Sequence, residues 1–486
     1  MRTPGRPLTA GLALAAMLAA LAPAAGADAL VLAKAKPAPP TPTDTLRLTL
    51  DDAVAQGLAH GDQMRVARAN VQATEGRVLQ ELSRALPQVS ATVTYDRTIH
   101  SIYQDMFTGG DTGGFGSLLE NSPFASKNAW NASVTAQQLL WSSGKVGSAL
   151  RAAHAANGSA HASEREAASG ISYQVRQAYY DAAYARRLVE IAESALAQAR
   201  AHLGLVRAGR REGNRSEYEL LRAEVDAANQ EPAVVAAKNG YDVALLTLKR
   251  LVQVPLDRPV ALVTPLDPGD GTVPVVTDLS TSVDRRPALE AADLEVEARH
   301  AALNVYRGQR WPDLYASSTL SHQAYPSEIT PDRDMFRRNW DVSLRVDIPI
   351  FTGLRTEGQV AQARAEMEAA KANRDALHDG AAVEAAQARA ELERSLTALM
   401  ARRETVRQAQ RAWELAGVRF TNGMSTQVEV SDARLQLQSS EVNEVQAMRD
   451  YLVAIAQLER AVGHPVPLER RPLSDVTPSP EQEGTR

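Results

Sequence analysis

Two carboxylates, Glu429 and Asp432, lie three residues apart at the start of a helix-forming stretch and so share one face of it. Carboxylates placed this way either favour cations at a constriction or simply suit the positive end of a helix dipole. Arg215 and Glu219, four apart at the matching place earlier in the chain, are spaced to pair on a helix. None of these is a catalytic signature. Gly144-Lys145 lacks the upstream glycine of a phosphate loop, and Val146 follows where a Ser or Thr belongs. His154 and His161 are seven apart on one helical tract; with no third ligand beside them they read as solvated helix residues rather than a metal site. No Gly-x-Ser-x-Gly and no His-Glu-x-x-His occurs. The reading is of a non-enzyme with no cofactor and no metal.

The elements that must position these charges occur twice. Trp141-Ser-Ser-Gly-Lys145 returns as Phe351-Thr-Gly-Leu-Arg355, and Glu212-Gly213-Asn214-Arg215-Ser216 returns as Asn422-Gly423-Met424-Ser425-Thr426. Leu251 to Pro255 returns as Ala461 to Pro465, at the same offset of 210 residues. A repeat this long is a duplicated module, not a solenoid unit. Glu219 mirrors Glu429, whereas Arg222 mirrors Asp432, so only one half supplies the acidic pair.

Within each half the hydrophobic period changes from helical to alternating and back. Good helix formers run from Leu50 to Ala85, where Pro87 stops them. Val89, Ala91, Val93 and Tyr95 then alternate with Ser90, Thr92, Thr94 and Asp96, which predicts a strand with one apolar face. A Gly-rich connection from Thr98 to Lys127 leads to a second alternating strand ending at Trp141. Helices are expected at about Gly144–Arg207 and from Ser216, an N-cap with Glu219 as capping-box partner, to near Pro255, kinked at Pro232. The second half repeats the plan, with a helix over Pro287–Gln309 and strands at about Leu314–Ser321 and Trp340–Ile348. Its long helices fall at about Arg355–Arg419 and Thr426–Val462. The last of these carries Val428, Leu435 and Val442 at heptad spacing.

The first 27 residues read as a signal peptide: Arg2 and Arg6, an apolar Leu8–Leu21, and a small-residue site at Ala25-Gly-Ala27. Its removal takes the formal net charge from −5 to about −7. No basic patch with interleaved aromatics points to nucleic acid. The chain has no cysteine, which excludes disulfides and a lipidated N-terminal Cys. Beyond the leader no apolar run is long enough for a membrane helix, so membrane entry requires a closed β-barrel. Four strands cannot close one, since barrels need about eight or more. Several copies must share it.

This arrangement resembles the outer-membrane efflux protein family typified by TolC, over roughly Leu46 to Pro465. The most specific local match is Phe420-Thr-Asn-Gly423-Met-Ser-Thr426-Gln-Val-Glu429-Val-Ser-Asp432-Ala433. It is similar to the family's aromatic, Gly and Thr followed by two acidic residues three apart before Ala. The resemblance implies an α+β membrane protein of the outer membrane: a homotrimer with a twelve-stranded β-barrel, four strands per chain, and a long α-helical periplasmic tunnel. It implies an outlet for efflux or type I secretion, with outer-membrane lipid around it and a periplasmic adaptor and an inner-membrane pump or exporter as partners. The turns at Gly213-Asn214 and Gly423-Met424 become the tip that meets the adaptor. Glu429 and Asp432 become rings of three carboxylates. Arg215 and Glu219 become candidates for the polar links that close the tip, because Phe420 lacks the hydroxyl of a Tyr and Ser425 lacks a cationic group.

The implied segments are a leader (1–27), a lead-in (28–45), a first repeat (46–255, hairpin about 88–141) and a linker (256–286). A second repeat (287–465, hairpin about 313–351) and a disordered tail (466–486) complete the chain. The rival reading is a periplasmic adaptor or other exported coiled-coil protein without a pore. It would not need two alternating hairpins, and the β-rich lipoyl-like segments usual in adaptors are not seen.

Overall fold

The computed structural model describes residues 45–100, 126–267, 272–276, 282–326 and 328–472. The expected leader, most of the lead-in and the centre of the Gly-rich loop lie outside the described residues. The described residues from 47 onward make up one compact unit.

A short strand β1 (Leu46–Leu48) precedes helices α1 (Leu50–His60) and α2 (Asp62–Ser83). The tract expected as one helix is therefore two. Gly61 sits between them in an extended conformation (φ −56°, ψ 136°), where a Cβ would collide with the Gly57 carbonyl oxygen. The low helix preference of Gly outweighs the good helix formers on either side. Strands β2 (Gln88–Arg97) and β3 (Asn128–Trp141) follow, then α3 (Lys145–Arg211) and α4 (Glu217–Leu251). Pro232 lies inside α4, which is assigned without interruption. The linker holds β4 (Val260–Leu262) and β5 (Thr272–Val276). The second half supplies α5 (Pro287–Gly308), β6 (Asp313–Ala324), β7 (Arg337–Asp347), α6 (Arg355–Thr421), α7 (Gln427–Val462) and β8 (Leu468–Pro472).

Helices α3 and α6 have 67 residues each, or about 100 Å of length at the standard rise. The duplication extends to individual dihedral angles. Ser143 and Gly353, Gly144 and Leu354, Gly213 and Gly423, and Gln253 and Gly463 form four pairs at the 210-residue offset, and all eight residues have positive φ. Side-chain-bearing residues enter this region only when the surroundings demand it. The backbone path is thus common to both halves even where the residue type is not.

The long strands form one antiparallel sheet in the order β2-β3-β6-β7. Its register separates two faces. Val89 opposite Ala136, Val93 opposite Ala132, Tyr95 opposite Trp130, Leu320 opposite Trp340 and Leu314 opposite Val346 fall on one face. Ser90 opposite Thr135, Thr92 opposite Ser133, Thr135 opposite Thr319 and Ser317 opposite Ser343 fall on the other. The edge strands β2 and β7 are exposed along their whole length, with Val89, Val93, Trp340, Val342 and Leu344 more than 60% accessible. A large apolar surface left this open marks a contact with lipid or with another chain.

The helices pack against one another: α4 packs on α3, α3 on α7, and α7 on α6, while α2 lies on α3 and α5 bridges α3 and α6. Much of the buried surface is alanine, including Ala155, Ala162, Ala178, Ala182, Ala195 and Ala199 on α3. Small side chains let long helices approach closely along their length. A larger anchor sits midway along α3. Tyr179, fully buried on α3, accepts a hydrogen bond from the Thr264 amide (2.9 Å) and donates to the Leu48 carbonyl (3.1 Å).

The tail expected to be disordered begins with an ordered strand. Leu468–Pro472 pairs antiparallel with Thr272–Val276 of the linker, with Val276 opposite Leu468. The Tyr451 hydroxyl, its pKa pushed up to about 12 by burial, donates to the Pro274 carbonyl, and Glu459 accepts from the Val466 amide at 3.3 Å. The linker provides the partner edge that a tail alone lacks. Residues 473–486 lie outside the described residues.

Candidate functional site at the paired helix turns

The ends of α3 and α6 are built alike. Gly213 donates to the Arg210 carbonyl (3.0 Å) and Asn214 to the Gly209 carbonyl (2.8 Å); Gly423 donates to Phe420 (3.0 Å) and Met424 to Arg419 (2.8 Å). Each is a Schellman turn, which needs a left-handed residue after the helix, and glycine reaches φ of +79° and +72° there without a Cβ penalty. Gly213, Asn214, Gly423 and Met424 are all exposed.

The return helices start differently. Ser216 caps α4 in a full capping box: its hydroxyl accepts from the Glu219 amide, and Glu219 accepts from the Ser216 amide at 2.8 Å. Thr426 caps α7 by accepting from the Glu429 amide at 3.4 Å. The Glu219 carboxylate also takes Arg215 at 3.3 Å. The Ser216 amide holds its pKa below the usual carboxylate value, helped by the Ser216 hydroxyl and Arg215 and opposed by partial burial. The structure therefore brings Arg215 and Glu219 together. Glu429 and Asp432 remain exposed on the first turns of α7, and among the described residues neither carboxylate has a hydrogen bond or ion pair.

Arg215 reaches farther than its helix partner. Its guanidinium lies 4.2 Å from the centroid of the Phe420 ring at the end of α6, joining the two halves by a cation–π contact of about 0.5–2 kcal/mol. Gly209 makes this possible, since a Cβ there would stand 2.8 Å from Arg215 Cγ. Beneath the stack, His202 of α3 approaches Phe420 with ring centroids 5.7 Å apart. Arg434 of α7, its side chain 7% exposed, pairs with Asp226 of α4 at 2.7 Å. Gln427 is buried with neither amide atom hydrogen-bonded. His202, Asp226, Arg434 and Gln427 carry no sequence signal, because three separate helices assemble them.

The profile of the family described as "Outer membrane efflux protein" matches residues 53–252 and 279–464, the two repeats almost in full. The chain belongs to that family. It is 28% identical over 350 residues to Protein CyaE of Bordetella pertussis, covering 70% of this chain and 69% of that one. Outer membrane efflux protein BepC of Brucella suis is 24% identical over 296 residues, covering 60% of this chain and 62% of BepC. The crystal structure of the outer membrane protein VceC from Vibrio cholerae superposes with a TM-score of 0.68 at 19% identity, covering 86% of this chain and 96% of that one.

This outer membrane efflux protein family member is thus an outer-membrane efflux channel with the α+β fold read from its sequence, and not a soluble adaptor. Among the described residues no helix is long and apolar enough to cross a membrane. The apolar face of the sheet carries Tyr95, Trp130 and Trp340 toward one end and Trp141 toward the other. Such girdles sit at bilayer interfaces.

Proposed function

We propose that three copies of this chain close into one passive duct gated at its helix turns. The observation that carries this is the matching set of open edges. Within the chain the two halves meet where β3 pairs with β6 and α3 packs on α7. Advancing by one repeat turns that joint into β7 beside β2, and α6 beside α4, of the next copy. Both pairs are the edges left free here. The same step places α6 of a neighbour against α2, whose Val66, Leu79 and Leu82 are exposed. An open sheet edge cannot sit in lipid, so ring closure satisfies sheet and helices together. Twelve strands result from three copies.

In this ring the hydroxyl-lined face of the sheet forms the lumen, and Glu429 and Asp432 form acidic rings that favour cations. The turns at Gly213-Asn214 and Gly423-Met424 dock a periplasmic adaptor, through which an inner-membrane pump or exporter delivers cargo. Arg215, held by Glu219, keeps the tip closed until the adaptor engages. Opening is a two-state shift of the tip helices.

The test is membrane fractionation followed by the native mass of the detergent-extracted protein. An outer-membrane species of three chain masses supports the duct. A monomer, or a chain soluble in the periplasm, ends this reading.

A further inference from the structure

Charge in the closed tip balances only while one side chain is neutral. Two cations, Arg215 and Arg434, and the Asp226 carboxylate lie close to His202, and each cation has a carboxylate partner. Arg215, from the α3–α4 turn, pairs with Glu219 at 3.3 Å, and Arg434 of α7 pairs with Asp226 of α4 at 2.7 Å. From α6, the Phe420 ring approaches the imidazole. His202 Nε2 is buried without a hydrogen-bond partner, and Arg434 Nε and the Gln427 amide beside the same turn are likewise unpartnered. A proton on His202 would add a third cation where the nearby Asp226 carboxylate is already engaged by Arg434, against a ring that Arg215 also touches. Unpaired buried charge is strongly disfavoured.

We propose that His202 is a proton-operated release for the tip: its protonation loosens the Arg215–Phe420 contact between the halves and opens the duct as the periplasmic pH falls. This rests on the duct reading above. The direction of the imidazole's equilibrium agrees. Burial lowers its pKa first, repulsion from Arg434 and Arg215 lowers it further, and attraction to Asp226 only partly offsets them. A lowered folded-state pKa means that the closed tip has its full stability above the ordinary imidazole value of about 6.5. That stability is lost as the pH falls through the lowered value. Imidazole is the side chain whose ordinary titration lies nearest this window.

The experiment is planar-bilayer conductance of the full-length protein at about pH 7.5 and about pH 5. His202→Gln and His202→Phe are compared with wild type; the second retains a ring against Phe420 if the first fails to assemble. The chain has no cysteine, so Met424→Cys with a single spin label reports tip spacing independently. The expected result is a severalfold rise in wild-type conductance on acidification, a matching increase in label separation, and neither change in the His202 variants. A wild type that conducts equally at both pH values overturns the release while leaving the duct intact. So does an acid response that persists in both variants. A protein that extracts as a monomer and conducts under no condition removes the duct, and the release falls with it.

Discussion

The two helix turns follow one backbone path and carry different chemistry. At the first, Glu219 is bound by the Ser216 amide, the Ser216 hydroxyl and Arg215, and Gly209 clears room for Arg215 to fold across to Phe420. At the second, the residue matching Gly209 is Arg419, which donates to the Met424 carbonyl at 3.4 Å, and Glu429 and Asp432 stand unpaired in solvent. Duplication supplied the geometry twice, and the two copies carry different contacts. At the first turn Arg215 joins Glu219 to Phe420; at the second the carboxylates are exposed.

The largest test of that difference is truncation of the aromatic plate. Phe420, 9% exposed, is expected to cost about 3 kcal/mol as Phe420→Ala. Its counterpart Arg210, paired only with the exposed Glu217 at 3.2 Å, should cost at most about 0.5 kcal/mol as Arg210→Ala. Denaturant midpoints of the extracted protein measure both, and equal losses would contradict the asymmetry. The shared backbone is tested by the glycines. Gly213→Ala and Gly423→Ala meet no neighbouring atom within 4 Å, so each should cost only the left-handed penalty of about 1 kcal/mol. Unequal costs would show that the turns are not the same structure.

The duplicated architecture was legible because it is written in local signals. Turn residues, caps and changes of hydrophobic period recur at a fixed offset, and each long element expected in the two halves is present to within a few residues apart from the break at Gly61. The capping box at Ser216 and Glu219 was legible for the same reason. What joins the halves was not. Asp226 and Arg434 are 208 residues apart, and nothing in the spacing of either says which helix face meets which. Phe420 was noticed for the hydroxyl it lacks, while its role as a platform for Arg215 and His202 depends on packing between helices. The β5–β8 pair was missed because five-residue strands offer too little alternation to stand out, and each needs the other to form.

The caps give a smaller contrast. Ser216→Ala removes the hydroxyl from a reciprocal capping box and should cost about 1 kcal/mol, against about 0.5 kcal/mol for Thr426→Ala, whose single bond is long. Thermal midpoints at neutral pH compare the two. Acid should narrow the difference. Glu219 has its folded pKa depressed, so its stabilisation is complete above the unfolded carboxylate value and fades as the pH falls through the lower folded one. The Ser216 variant should therefore lose its disadvantage relative to wild type in that acidic range.

The smallest effect on stability should accompany the clearest effect on transport. Glu429 and Asp432 have no partners to lose, so Glu429→Gln together with Asp432→Asn should shift the denaturation midpoint by no more than about 0.5 kcal/mol. The same pair of changes removes the acidic groups assigned to the constriction, and cation preference in a salt-gradient bilayer measurement should fall. The matched control is Glu219→Gln, which alters a carboxylate at the position mirroring Glu429 but inside the clamp. It should weaken closure and raise resting conductance while leaving cation preference in place. If the control instead changed selectivity and the pair changed closure, the roles of the two turns would be reversed. If both did both, the tip would act as one undivided gate.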